Sequence, residues 1–112
     1  MRVDRRTLIV GGAMLAVAPS RVLADAPVLA LLDPSLLEGA ILPPGRRVIL
    51  SGDPVRALHG ARPLPGRVAG ITGWGDYVLL RSLLREDGMR VREEHVVRRP
   101  GGAARVEWLA VR

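Results

Sequence analysis

The sequence contains no cysteine, no lysine and no phenylalanine, and its aromatic residues are two tryptophans and one tyrosine. Without cysteine, the chain cannot use the disulfides that stabilise many small exported domains, so its stability has to come from a hydrophobic core. Without lysine, it has neither a phosphate-binding P-loop nor a lysine nucleophile. Three aromatic rings are too few for a platform that stacks the bases of a single strand, so nucleic acid is not an expected partner.

All 17 basic residues are arginines, against 11 acidic residues, which gives a formal net charge of +6 over 112 residues. Four arginines and one aspartate lie in the first 24 residues, so the remaining chain keeps 13 arginines, ten acidic residues and a net charge of +3. The exclusive use of arginine is typical of a GC-rich genome rather than of selection for phosphate binding. The length suffices for one domain.

The first 24 residues have the order of a secretory signal peptide: a basic start, an apolar run from Leu8 to Ala18 and a short segment before a cleavage site. The apolar run is shorter than the roughly 20 residues of a membrane span, so we expect no stable membrane anchor from it. Arg5 and Arg6, followed by a free position and two apolar residues, resemble the twin-arginine export signature. An ordinary secretory signal that happens to contain two adjacent arginines is the alternative.

Cleavage of this signal is expected after Ala24. Val22-Leu23-Ala24 has short side chains at the positions that signal peptidase reads, whereas cleavage after Ala26 would leave Pro27 first in the product. Residues 1–24 are then the signal peptide and residues 25–112 a single α/β domain, which is periplasmic or secreted. The partners expected for the N-terminus are the twin-arginine or general export machinery and signal peptidase.

The rest of the chain repeats a unit of an apolar run, an aspartate and a connection. The three runs are Val28–Leu32, Val48–Leu50 and Val68–Thr72. Asp33, Asp53 and Asp76 follow them, and a valine of the next strand lies 15 positions after each aspartate: Val48, Val68 and Val91. Short apolar runs separated by a dozen or more residues are typical of parallel strands joined by crossovers.

An aspartate followed by proline favours a helix start, which predicts short helices near Pro34–Gly39 and Pro54–His59. After Asp76, two pairs of leucines at helical spacing predict a full-length helix that stops at Gly88. Met89–Arg98 and Ala104–Arg112 predict an antiparallel hairpin whose second strand lies at a sheet edge. The fold class expected is therefore α/β: a small layered, mainly parallel sheet of three β-α units, flavodoxin-like in general form, ending in an antiparallel hairpin.

Glycines between the third strand and the third helix raise the possibility of a phosphate-binding loop. Gly70, Gly73 and Gly75 have the spacing G-x-x-G-x-G, which is the reverse of the dinucleotide fingerprint. Trp74 would obstruct a pyrophosphate at this helix start, and Asp76 would repel it. The sequence therefore favours a tight strand-to-helix turn over a phosphate site.

If the three strands are parallel, Asp33, Asp53 and Asp76 lie at the carboxyl edge of the sheet, where open α/β sheets bind ligands. Two roles remain open for these aspartates, as helix caps or as oxygen ligands of a divalent metal ion. The ligand-binding candidates at this edge are Asp53, Arg56, Trp74, Asp76 and Tyr77. The pattern indicates no particular cofactor.

No motif in the sequence specifies a reaction. No serine lies in a G-x-S-x-G elbow, and the two histidines lack ligand spacing. We therefore expect an exported α/β binding or accessory module without catalytic activity, with a small polar ligand or a protein partner at the carboxyl edge. The alternative is a small metal-assisted hydrolase that uses Asp33, Asp53 and Asp76.

Two short segments carry a resemblance. The turn Gly70-x-Thr72-x-Trp74-x-Asp76 and the strand start Gly88-Met89-Arg90-Val91 resemble those of small exported bacterial α/β proteins of unknown function. This resemblance implies the same fold class and export, and it implies no chemistry.

Overall fold

The structure, a computed structural model, describes residues 28–112. The expectations for Arg5, Arg6 and cleavage after Ala24 lie outside the described residues. The elements in chain order are β1 (Val28–Leu32), a 3-10 turn (Pro34–Leu36), β2 (Arg46–Ile49), α1 (Pro54–Gly60), β3 (Arg67–Thr72), α2 (Trp74–Glu86), β4 (Arg90–Val97) and β5 (Arg105–Val111). Within this part of the chain, neither helix has the length and apolar character needed to cross a membrane.

The five strands form one mixed sheet in the order β2-β1-β3-β5-β4. Strands β2, β1 and β3 pair in parallel, whereas β5 is antiparallel to both of its neighbours. The prediction of a flavodoxin-like layered fold with three β-α units was therefore wrong. Only three strands form the parallel part of the sheet, and only two α-helices accompany the strands among the described residues.

The first predicted helix fails because its sequence cannot continue a helix. Asp33 caps the turn as expected, but the turn ends after three residues at Leu36. Gly39 then adopts a positive φ of 75°, which breaks the helical path. Pro43 and Pro44 follow and supply no backbone N–H, so the connection to β2 remains irregular.

Both helices cover the same face of the sheet because of the order of the strands. The chain steps from β1 outward to β2, and then back across β1 to β3 and onward to β4. Crossovers are right-handed, so a reversal of direction moves the connection to the opposite face. The first connection accordingly lies on one face, and the two later connections, which contain α1 and α2, lie on the other.

The main core fills the space between the helices and this face. It contains Leu58 from α1, Tyr77, Leu80 and Leu84 from α2, and Trp108 from β5, together with inward side chains of β1 and β3. On the opposite face, Ala30, Leu32 and Ile71 form a smaller cluster. Side chains of the first connection pack against that cluster: Leu37, Ala40 and Leu42.

The two strands of the hairpin occupy the reverse of their expected positions. β5 was predicted at the sheet edge, but it lies between β3 and β4, and β4 forms the edge. The physical reason is polarity. Val106, Trp108, Leu109 and Ala110 are buried, so β5 has apolar side chains for both faces, whereas β4 is exposed along most of its length.

Candidate functional site

Asp33 and Asp53 act as helix caps. The Asp33 Oδ1 atom accepts hydrogen bonds from the backbone N–H of Ser35, at 3.0 Å, and from its hydroxyl, at 2.7 Å. The Asp53 Oδ1 atom accepts one from the backbone N–H of Val55, at 2.9 Å. Both carboxylates therefore satisfy N–H groups that the first turn of a helix leaves without a partner.

Asp76 does not cap α2, contrary to the strand–aspartate–helix pattern of the sequence. The cap is Gly73, which has no side chain to bond the helix, and Asp76 lies within the first turn. There the carboxylate still interacts favourably with the positive end of the helix dipole. Among residues 28–112, no group of three or more His, Cys, Asp or Glu side chains is placed to hold a metal ion, and this includes the three aspartates.

Two of the remaining ligand-binding candidates lie on helix surfaces. Arg56 is exposed on α1. Trp74, the first residue of α2, is 54% exposed, and its ring lies 5.5 Å from that of Tyr77 between centroids. Trp74 is thus connected to Tyr77 by an aromatic contact.

Tyr77 is fully buried and lies at the centre of a polar and aromatic cluster. Its ring lies 5.9 Å from that of Trp108, and its hydroxyl donates a hydrogen bond to Oε1 of Glu94 on β4. The guanidinium of Arg81, one turn further along α2, lies 5.2 Å from the centre of the Tyr77 ring, within the range of a cation–π contact. Tyr77 therefore links α2 to the edge strand.

A cleft of about 370 Å³ opens between α2 and β4 beside this cluster. The residues lining it are Tyr77, Arg81 and Arg85 from α2, Met89 just before β4, and Arg90, Val91, Arg92, Glu93 and Glu94 from the start of β4. Of the ligand-binding residues expected from the sequence, only Tyr77 contributes to this cleft.

The helix spacing explains one wall of the cleft. Tyr77, Arg81 and Arg85 are each four residues apart, so they lie on one face of α2. The other wall contains an irregularity of β4: Val91 pairs with Ala110 and Glu93 with Leu109, which leaves Arg92 as an extra residue in a bulge. Bulges re-aim side chains and are frequent beside functional sites.

The cleft carries an excess of positive charge, with four arginines against two glutamates. Arg81 lies 3.9 Å from Glu94, at the limit of an ion pair. None of the described residues forms an ion pair with Arg85, Arg90 or Arg92. Three guanidinium groups around the cleft therefore keep their hydrogen-bond donors available for an anion.

Two groups in the cleft have shifted pKa values. Burial raises the pKa of the Tyr77 hydroxyl above its ordinary value of 10.0, and the hydrogen bond to Glu94 raises it further. Desolvation also raises the pKa of the Glu93 carboxyl above 4.5. Both shifts favour the neutral form, which is the expected effect of removing water around an acidic group.

The environment of Tyr77 can be tested directly because Tyr77 is the chain's single tyrosine. Its titration, followed by the ultraviolet absorbance of tyrosinate, should give a pKa above 10.0. Because the folded pKa exceeds the unfolded one, the stabilisation from this proton is complete below about pH 10 and is lost as the pH rises through the folded value.

Two substitutions should move this pKa in opposite directions. Glu94→Gln removes an influence that raises the pKa, and Arg81→Gln removes one that lowers it. The first variant should titrate below the wild type but still above 10.0, because burial is the largest cause. Equal titration of all three proteins would contradict the cluster described above.

The sequence patterns did not predict the arginines of the cleft. Arg81 and Arg85 are four residues apart and a charged segment follows Gly88, but neither pattern indicates that the two segments face each other. Comparison with known protein families, with curated proteins and with solved structures finds no match for this chain.

Proposed function

We propose that residues 25–112 form an exported binding module without catalytic activity, and that its ligand is a small organic or inorganic anion held in the cleft between α2 and β4. The observation that carries this proposal is the group of three arginines, Arg85, Arg90 and Arg92, which surround one cleft without ion-pair partners among the described residues. Arginine is the side chain best suited to carboxylates and phosphates because its planar donors match their oxygens.

The polar neighbours of these arginines support a small, oriented ligand. Glu93 and Glu94 lie at the same cleft, so a ligand that also carries a hydrogen-bond donor finds an acceptor there. The cleft volume of about 370 Å³ lies at the lower end of the range typical of small-molecule sites. The cleft replaces the carboxyl edge as the proposed site, because Asp53 is engaged as a cap and Tyr77 is the one earlier candidate that lines the cleft.

Export remains part of the proposal and rests on the sequence of residues 1–24, with Arg5 and Arg6 as the export signature. N-terminal sequencing of the protein recovered from the periplasm tests it. We expect Asp25 as the first residue, and recovery of the intact chain from the cytoplasm alone would contradict it.

Binding is tested by titrating residues 25–112 with two probes, inorganic phosphate and succinate. Side-chain Nε–H and backbone NMR signals report the site, and we expect saturable shifts at Arg85, Arg90 and Arg92. The double variant Arg90→Gln/Arg92→Gln should bind the better probe at least about tenfold more weakly, because each charge-assisted contact is worth on the order of 1.5–3 kcal/mol.

A matched control removes the same charge elsewhere. Arg47 on β2 and Arg56 on α1 are exposed and lie outside the cleft, so Arg47→Gln/Arg56→Gln should bind as the wild type does. Equal weakening in both double variants would show a non-specific attraction to net charge. That result, or the absence of a saturable shift with either probe, would contradict the proposed site.

A further inference from the structure

Among residues 28–112, only one side of β4 pairs with another strand. β4 is the last strand of the sheet, so β5 satisfies one row of its backbone groups, and no described strand pairs with the other row. The strand is eight residues long and mostly exposed, and Val96 within it is 42% exposed. A long edge with an exposed apolar residue is a template for pairing with another chain unless its side chains oppose it.

The charges of this edge are arranged symmetrically about Val96. Glu93 and Glu94 precede it within β4, and Arg98 and Arg99 follow it directly after the strand ends at Val97, with one residue between Val96 and the nearer charge on either side. When two antiparallel copies of this segment pair with Val96 opposite Val96, Glu94 meets Arg98 and Glu93 meets Arg99, on both sides of the symmetry axis. Opposite charges directly across antiparallel strands are stabilising, whereas like charges are destabilising.

The registers that keep the same face of β4 toward α2 lack this complementarity, since a slip by one residue would turn every side chain to the opposite face. A shift by two residues toward the N-terminus places Arg92 opposite Arg98 and brings two positive charges together. A shift by two residues toward the C-terminus leaves both glutamates without an arginine opposite them. The charges that normally protect an edge strand from self-association therefore select one register here.

We propose that two copies of this chain associate through β4 in this register, as a two-fold symmetric dimer with a continuous sheet of ten strands. Glu94 pairs across β5 with Trp108, and Val96 with Val106, so both lie on the face that α2 covers. In the dimer, the two helix-covered faces lie on the same side. The cleft of each copy then opens toward the other across the symmetry axis, above the paired β4 strands.

This association goes beyond the proposed function, and its test is independent of any ligand. Sedimentation of residues 25–112 should give twice the mass of one chain at concentrations up to about 1 mM, the range in which even a weak dimer is populated. A single-chain mass throughout this range would overturn the proposal.

Charge reversal tests the register. Arg98→Glu/Arg99→Glu should weaken the dimer at least about tenfold, since four cross-strand pairs each worth roughly 0.2–1 kcal/mol become repulsive. Glu93→Arg/Glu94→Arg should do the same, and a mixture of the two double variants should restore a mixed dimer because opposite charges meet again. Arg47→Glu/Arg56→Glu, exposed arginines away from β4, should keep the dimer. An unchanged dimer in the reversed variants, or a mixture that fails to associate, would overturn the register.

A covalent test does not depend on the stability of the reversed variants. The chain has no cysteine, so Val96→Cys introduces the single thiol on the two-fold axis. Directly opposed residues in antiparallel strands have Cα atoms roughly 4.5–5.5 Å apart, which a disulfide can bridge. Leu79→Cys on α2 is the control, because Leu79 is 41% exposed, nearly as much as Val96. We expect at least about tenfold more linked dimer from Val96→Cys after the same oxidation, and equal yields would overturn the proposal.

Discussion

Gly70→Ala should destabilise the domain by about 3 kcal/mol or more, because Gly70 has no room for a side chain. Gly70 lies in β3, between Leu31 of β1 and Trp108 of β5. A Cβ atom built on Gly70 overlaps the indole of Trp108, closer than any real Cβ contact. The indole therefore lies directly across the backbone of β3, a position that only glycine permits.

The indole cannot simply move away. Its Nε1–H donates a hydrogen bond of 3.2 Å to the buried Thr72 hydroxyl, and its ring packs against Tyr77. Displacement loses that bond, at a cost of about 1–3 kcal/mol for a buried group left without a partner, and overpacking adds about 1–3 kcal/mol. A domain of this size has a free energy of unfolding on the order of 5–10 kcal/mol, so Gly70→Ala removes a large part of its stability.

Denaturant unfolding monitored by tryptophan fluorescence measures this effect. The matched control is Gly75→Ala in the first turn of α2, where an added Cβ meets nothing within 4 Å. That variant should be unchanged or more stable by roughly 0.4–1 kcal/mol, because alanine restricts the unfolded chain. Equal stability of both variants would contradict the close packing at Gly70.

A smaller ring at position 108 tests whether overlap with the indole causes the destabilisation by Gly70→Ala. Trp108→Phe alone should destabilise the domain, since it opens a cavity and leaves Thr72 without its donor. Combined with Gly70→Ala, however, its cost should be smaller than the sum of the two single costs by about 1 kcal/mol or more, because the overlap is relieved. Strict additivity would show that the two residues do not compete for the same space.

Local patterns in the sequence located the strands but did not give their order. The first apolar run matches β1 at both ends, and the hairpin strands end within one residue of the observed limits, because turn residues bound each run. Strand order depends on pairing between distant segments, which apolar runs alone do not report. One long-range signal was nevertheless present: the run around Trp108 is apolar on both faces, which indicates an interior strand.

The candidate site depended even more on distant contacts. Capping was one of the two roles that the sequence left open for Asp33 and Asp53, and it could be considered there because capping is a relation between neighbours. The cleft requires α2 to pack beside β4 and requires the bulge at Arg92, and neither feature can be read from residue spacing along one segment. Tyr77 was a ligand-binding candidate because it is aromatic and lies near Trp74 in the sequence, and its hydrogen bond to Glu94 was not predicted.

Arg105→Met should destabilise the domain by about 3 kcal/mol, with its largest local effect in the first connection. Arg105 is only 6% exposed, although it is a charged residue at the start of a mainly apolar strand. Its Nη1 donates hydrogen bonds to the carbonyl oxygens of Leu36, at 3.2 Å, and Glu38, at 2.6 Å. Its Nε donates to Oε2 of Glu107, at 2.8 Å.

One side chain thus holds the irregular connection against β5. The residues bonded by Arg105 lie 67 and 69 positions away in the sequence, at the end of the 3-10 turn and in the irregular segment that follows it. Methionine fills much of the volume but leaves two carbonyl groups without their donor, and each such loss costs about 1–3 kcal/mol. Lysine keeps the charge but has no fork of planar donors, so Arg105→Lys should restore only part of the stability.

Hydrogen exchange separates this role from general destabilisation. The amides of Leu36 and Ala40, which bond within the first connection, should lose protection more strongly in Arg105→Met than amides of α2 do. Arg47→Met on the exposed surface of β2 is the control and should change the free energy of unfolding by no more than about 0.5 kcal/mol. Uniform loss of protection across the sheet would contradict a local clamp. Leu37, Ala40 and Leu42 pack against the smaller core cluster, so release of this connection also exposes that cluster. We therefore expect the loss of amide protection in the first connection and the loss of global stability to grow together as denaturant is added.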